Sequence, residues 1–206
     1  MKIAVFGATG GTGREVVKQA LAAGHQVTAL ARDHGRLDLD DPSLSAIAGN
    51  VLDIEAVQQT LQETDAAVVS LGNTANNPEY VVSQGTQVIL DAIAMLGGPR
   101  RIVVVSSLGV GESKDQVPFA FKMLMKTALK KPMEDKERQE ALVKASGLDW
   151  TIVRPGGLTN GPATGQYKSG LDPKIGAGQV ARADVAAFVL QQLTDDAYLL
   201  KAPAIS

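Results

Sequence analysis

Short continuous runs of β-branched and small apolar residues punctuate this chain, separated by stretches whose apolar residues recur three and four positions apart. Ile3–Phe6, Val27–Leu30, Ala46–Ala48, Ala66–Ser70, Ile102–Val105 and Thr151–Val153 are apolar without alternation, the pattern of strands buried on both faces. Thr12–Ala23, Ile54–Gln62, Glu79–Met95 and Pro132–Ala145 carry helical spacing, with Gly24, Gly97 and Gly147 where C-terminal caps belong. Strands alternating with helices imply a parallel sheet covered by helices on both sides. Ligands of such sheets bind outside the carboxyl ends of the strands, so the chemistry is sought there. Residues 108–131 and 156–178 break the rhythm without a shift in composition. They read as substrate loops of a single domain spanning residues 1–206, not as linkers.

The strongest local signal is Gly7-Ala-Thr-Gly10-Gly-Thr-Gly13, which directly follows the first predicted strand and opens the first predicted helix. Gly7 permits a tight turn, Gly10 lets the backbone approach a pyrophosphate, and Gly13 lets helix and strand pack closely. Thr9 and Thr12 add hydroxyl donors beside the free N–H groups of the helix start. The fold expected is therefore α/β, a Rossmann-type doubly wound parallel sheet with helices on both faces.

The end of the second strand selects the dinucleotide. An NAD site places Asp or Glu about 20 residues past the glycines to hold the ribose 2′-hydroxyl. Here Leu30-Ala31-Arg32 offers space and a guanidinium suited to a 2′-phosphate, with Arg36 in support, so NADP is expected; the alternatives are that Arg32 pairs with Asp33 or is solvated, and that Asp33 is itself a ribose ligand. Asp53 after the third strand is either an acceptor for the adenine amino group or the N-cap of the helix that starts at Ile54. Gly72 after the fourth strand either lets the backbone run close to a cofactor or is a plain turn residue.

Composition narrows the partners. The 206 residues contain no cysteine and two histidines, His25 and His34, both read as solvated loop residues; thiolate chemistry is excluded and no metal site is expected. A net charge of −2 and 4% aromatic residues supply neither the basic patch nor the stacking platform that nucleic acid requires. No apolar run reaches the length of a membrane span, and the expectation is a soluble, cytoplasmic monomer acting on a small molecule.

With these residues assembled, the chain resembles the atypical short-chain dehydrogenase/reductases over nearly its full length, and within them the NADPH-dependent flavin reductases of the biliverdin reductase B type. The resemblance rests on Lys2-Ile-Ala-Val-Phe-Gly-Ala-Thr-Gly-Gly-Thr-Gly13, Val27-Thr-Ala-Leu-Ala-Arg32, Gly49-Asn-Val-Leu-Asp53, Val105-Ser-Ser107 and Ala145-Ser-Gly-Leu-Asp-Trp150. Arg154-Pro-Gly-Gly-Leu158 and Arg182-Ala-Asp-Val185 are typical of the wider NAD(P)-binding group. The resemblance implies hydride transfer from NADPH to a flavin or a linear tetrapyrrole such as biliverdin, with flavin as substrate and not as prosthetic group. It implies cofactor contacts from Gly7, Thr9, Gly10, Thr12, Gly13, Arg32, Leu52, Asp53, Leu71, Gly72, Ser106, Lys136, Pro155 and Leu158.

Two departures shape the chemistry. Tyr80, Tyr167 and Tyr198 have no lysine four residues later, so the tyrosine–lysine acid of classical short-chain dehydrogenases is missing. The flavin reductases carry a histidine after the sixth strand where this chain has Gly157. Hydride delivery to an electron-poor ring needs orientation and desolvation more than a strong acid, which suits flavin reduction. Ser107 is the candidate donor or proton relay, or else a cap for the loop that follows it. Lys136 is the candidate partner of the nicotinamide ribose, or else a lysine snorkelling past Met133 and Val143. Leu108, Phe119 and Phe121 are the candidate substrate contacts, the last two in a lysine-rich stretch that also reads as an amphipathic helix. An NADP-binding sensor without turnover, and more remotely a nucleotide-sugar epimerase, are the rival readings.

Overall fold

The computed structural model describes residues 1–73 and 79–206. Strands β1 (Lys2–Phe6), β2 (Gln26–Ala31), β3 (Leu44–Ala48), β4 (Ala66–Val69), β5 (Arg101–Val105) and β6 (Asp149–Pro155) form at the predicted apolar runs. Helices α1 (Gly11–Ala22), α2 (Ile54–Leu61) and α3 (Val81–Leu96) follow, then a short α4 (Phe119–Met125) and α5 (Lys130–Ala145). Beyond β6 come β7 (Gly157–Thr159), β8 (Ser169–Gly170), β9 (Gln179–Ala181), α6 (Arg182–Gln191) and β10 (Ala204–Ile205).

Eight strands build one sheet in the order β3-β2-β1-β4-β5-β6-β10-β8. Every pair is parallel except β8 against β10, which gives the parallel sheet one antiparallel edge. The strand order reverses direction between β1 and β4. Ile3, Val5, Val103 and Val105 pack into one buried cluster with Val16 and Val17 of α1 and Val185 and Phe188 of α6. Ala4, Phe6, Ile102 and Val104 pack into another with Val57 of α2, Ile89 of α3 and Val143 of α5. Both faces are covered, which is why alternate positions of these strands are equally apolar in the sequence.

The helix ends obey local chemistry. After α1, Gly24 turns with φ +78, its N–H donates to Leu21 at 2.9 Å and the His25 N–H donates to Ala20 at 3.0 Å. That pair of bonds is the motif for which a left-handed glycine is selected. Helix α3 lacks a capping side chain of its own. The carboxylate of Asp135 in α5, fully buried, accepts the Val82 N–H at 3.0 Å and the Ser83 N–H at 2.8 Å instead. Gln139 reinforces the contact, its Nε2 donating to Thr86 Oγ1 at 2.9 Å. The two helices thus meet through buried polar groups, with the Gln139 Oε1 left without a hydrogen-bond partner among the described residues.

Helix α6, absent from the sequence reading, is apolar around most of its circumference because it packs into the buried cluster that α1 and the sheet also form; a buried helix lacks the one-sided stripe that betrays a surface one. Among the described residues, no helix is long and apolar enough to cross a membrane.

Replacing Asp135 by Ala leaves two buried N–H groups without an acceptor. Urea unfolding is expected to show a loss of about 2–3 kcal/mol, with Asp135→Asn in between because one carbonyl acceptor survives. An unshifted midpoint for Asp135→Ala would remove the capping role.

Candidate active site

A cavity of about 590 Å³ opens along the carboxyl edge of the sheet, where the strand order reverses between β1 and β4. Its floor is the glycine loop. Gly7 adopts φ +82, and a Cβ on it would lie 2.4 Å from the Ser70 carbonyl oxygen at the end of β4. A Cβ on Gly13 would lie 2.2 Å from the Gly7 carbonyl oxygen, so helix α1 is drawn onto the loop as far as backbone atoms allow. Gly10 donates its N–H to Gly7 at 3.0 Å and its carbonyl accepts the first intrahelical bond, from Arg14, at 2.8 Å. The N–H groups of Gly11 and Thr12, both lining the cavity, have no carbonyl one turn earlier in the helix to bond. Together with the helix dipole they form an anion seat.

At one end the cavity is lined by Ala31 at the end of β2 with Arg32 and Arg36 beyond it, and by Gly49, Asn50 and Val51 beyond β3. Arg32 is exposed, and the neighbouring Asp33 carboxylate turns back to accept the Gly35 N–H at 3.1 Å. The expectation that Asp53 reaches adenine is corrected. Its Oδ1 accepts the N–H groups of Glu55 at 3.0 Å and Ala56 at 3.5 Å, the N-cap of α2, and it does not line the cavity. Leu52 also stays outside, 36% exposed on the surface. Gly13 packs behind the loop rather than facing the cavity.

The middle of the wall is Ser70, Leu71 and Gly72; the far end gathers Ser106, Ser107, Lys136, Pro155 and Leu158. The Lys136 Nζ donates long bonds to the carbonyls of Val105 at 3.4 Å and Ser106 at 3.3 Å. Desolvation pulls its pKa down to about 8, against the opposing charges of Glu140 and Asp135. The Ser106 hydroxyl donates its proton inside the protein, to Glu140 Oε1 at 2.7 Å, and its backbone N–H donates to Val153 at 2.8 Å, so neither proton is left for a ligand. Glu140 in turn accepts both Nε and Nη2 of the buried Arg154. The Ser107 hydroxyl donates to the Leu108 carbonyl at 3.1 Å and lies at the cavity wall.

The expected substrate contacts are not brought to this cavity. Leu108 is 1% exposed in a small core with Val117 and Ile175, and Phe121 packs against the same core. Phe119 is 78% exposed on α4, a helix with no buried residue. Their apolar character serves packing in two cases and lies on open surface in the third. Of the histidines, His25 meets the Met1 amine at 3.3 Å, away from the cavity, and the side chain of His34 lies outside the described residues.

The lining carries four cations, Arg32, Arg36, Lys136 and Arg182, and no carboxylate among the described residues. In a chain of net charge −2, that segregation marks a seat for an elongated polyanion. Residues 7–196 match the family model described as NAD(P)H-binding. The chain belongs to the NAD(P)H-binding family. It is similar to an uncharacterised chloroplastic protein of Arabidopsis thaliana, 30% identical across 95% of this chain and 72% of that protein. It is also 30% identical to the reductase pytE of Aspergillus terreus, across 93% of this chain and 90% of that one. Among solved structures, ChuY, an anaerobillin reductase from Escherichia coli O157:H7, superposes with TM-score 0.84 at 26% identity, covering 100% of this chain and 96% of that one.

Within the family frame, the residue that sequence reasoning passed over is Arg182. It belongs to the Arg182-Ala-Asp-Val185 motif, but it gains a place in the cavity only because α6 docks on α1. Asn50 and Val51 were likewise passed over in favour of the charged neighbour Asp53.

The low pKa of Lys136 has a direct readout. In NMR of the labelled protein, one lysine resonance is expected to titrate near pH 8 and to be missing from Lys136→Met. Because the folded pKa lies below the ordinary lysine value, the unfolded chain binds the extra proton between the two. Wild type should therefore gain stability relative to Lys136→Met as pH rises above about 8. A Lys136 titration at the ordinary value would contradict the desolvated position.

Proposed function

We propose that this chain is an NAD(P)H-dependent oxidoreductase that prefers NADP(H) and reduces a planar, electron-poor heterocycle, a flavin or a linear tetrapyrrole. The observation that carries the cofactor preference is the end of β2, where Ala31 and Arg32 line the cavity with Arg36 and no carboxylate stands in the place of a ribose ligand. A guanidinium there attracts a 2′-phosphate, and a site built for an uncharged ribose would have no use for it.

The residues present fit the cofactor. Gly7, Thr9, Gly10 and Thr12 would hold the pyrophosphate, Arg32 the 2′-phosphate, Leu71 and Gly72 the middle of the dinucleotide, and Lys136, Pro155 and Leu158 the nicotinamide half. When bound, NADPH supplies the hydride. The chain itself orients and desolvates. Lys136, positioned by two carbonyls at the end of β5, sets a positive charge beside the reacting region and, with a pKa of about 8, exchanges its proton near neutral pH. The Ser107 hydroxyl is a second proton carrier at the same edge. Leu158 and Pro155 offer a flat apolar wall against which a ring can lie. Reductase names among the relatives, pytE and the anaerobillin reductase ChuY, support the reaction class and, through ChuY, the tetrapyrrole branch.

Purified protein mixed with FMN or a bilin is expected to consume NADPH catalytically and NADH much more slowly. Arg32→Ala should raise the KM for NADPH roughly tenfold to a hundredfold with kcat and the NADH constants little changed. Tight NADPH binding with no turnover on any flavin or bilin would instead make the chain a cofactor-binding regulator.

A further inference from the structure

We infer that Arg182 is a further cofactor-binding residue, the cation that meets the dinucleotide pyrophosphate beside the glycine loop, and that glycine at position 11 leaves this guanidinium its place there. The inference rests on NADP occupying the cavity as proposed above.

Arg182 opens α6, whose body packs on α1 through Val185 and Phe188. From there its side chain reaches over the first turn of α1. A Cβ added to Gly11 would lie 2.6 Å from both the Cδ and the Nε of Arg182, so a side chain there would push the arginine aside. Gly11 stands at a position that the G-x-x-G-x-x-G spacing leaves open, and its backbone φ is not in the left-handed region. A side chain at position 11 would therefore act by displacing the arginine, not by straining the backbone.

The guanidinium is aimed, not loose. Its Nη1 donates to Asn160 Oδ1 at 2.6 Å. Asp184, two residues on, accepts the N–H groups of Thr164 and Gly165, each at 2.9 Å, so the first turn of α6 holds residues 160–165 at two points. Asp184 is thereby committed to the loop, and among the described residues the polar partner of Arg182 is a neutral amide, which does not offset its charge. Along the cavity, Arg32 and Arg36 lie beyond β2 and Lys136 beside the end of β5, while Arg182 sits at the glycine loop between them. A dinucleotide has its pyrophosphate in the same order, between the phosphorylated ribose and the nicotinamide. The planar fork of a guanidinium grips two phosphate oxygens at once, beside the N–H groups of the α1 start.

Calorimetry on the full chain with NADP and with adenosine 2′-phosphate, which carries the 2′-phosphate but no pyrophosphate, separates the possibilities. Arg182→Gln is expected to weaken NADP roughly tenfold to a hundredfold and to leave adenosine 2′-phosphate unchanged, with Arg182→Lys in between. Gly11→Ala should weaken NADP in the wild-type background and add little to Arg182→Gln, since its effect passes through the displaced arginine. Wild type binding both ligands while Arg182→Gln binds NADP equally well would overturn this inference and leave the cofactor reading standing. Equal losses for both ligands in Arg182→Gln would also overturn it, as a general disturbance of the fold. Failure of wild type to bind either ligand would remove the cofactor reading and this inference together.

Discussion

Three backbone segments pass through one point in this molecule: the turn after β1, the first turn of α1 and the end of β4. At Gly7 and Gly13 the neighbouring carbonyl oxygens lie so near that no Cβ fits. This contact fixes where the positive end of α1 points, and it points at the gap left by the reversal of strand order between β1 and β4. The register then brings the rest of the site to the same level. Phe6 pairs with Leu30 on one side and Val69 on the other, Val69 pairs with Val104, and Val105 with Val153. Residues just beyond these pairs, from Gly7, Arg32 and Ser70 to Ser106 and Pro155, are collected on one edge without any of them being near another in sequence.

Buried charge behind that edge is handled in two ways. Burial acts to lower the pKa of Arg154, yet hydrogen bonds and charges from Glu140 and Glu112 outweigh it and raise the value. Lys136, on the same helix as Glu140, has only two long carbonyl bonds in direct contact, and there desolvation wins. The difference is contact: carboxylates touching a cation offset its lost hydration, whereas carboxylates acting at longer range do not. One cation is thus locked as structure while its neighbour is left able to exchange a proton where a ligand can reach it. The Ser106–Glu140–Arg154 chain belongs to the first kind, which is why the Ser106 hydroxyl proton is held inside the protein although the residue lines the cavity.

Legibility in the sequence followed the range of the interactions involved. The central strands and four helices could be read because their apolar periodicity arises from neighbours in the chain and from burial common to all such sheets. Helix α6 and strand β10 could not: the first is wrapped in apolar neighbours and shows no one-sided stripe, and the second is two residues long. The glycine loop was readable because its requirement is local backbone geometry. Asp53 was ambiguous in sequence because capping and ligand recognition use the same carboxylate, and only the hydrogen bonds to Glu55 and Ala56 decide between them. Phe119, Phe121 and Leu108 misled for a related reason: an apolar side chain carries no record of which surface it will cover.

By itself, the order of residues determined that a parallel sheet would form, that a glycine turn would meet a helix start after its first strand, and that an arginine would stand where a ribose-binding acid is otherwise found. These follow from short-range sterics and from hydrophobic periodicity, both of which are written within a few residues. Tertiary structure decided which polar groups are free to meet a ligand and which are consumed by the protein. It spent Asp135, Glu140 and the Ser106 hydroxyl on internal bonds, left Lys136 at the wall, and carried Arg182 from the far end of the chain onto Gly11. Those outcomes depend on distances between segments far apart in sequence, and such distances exist only once the chain has folded.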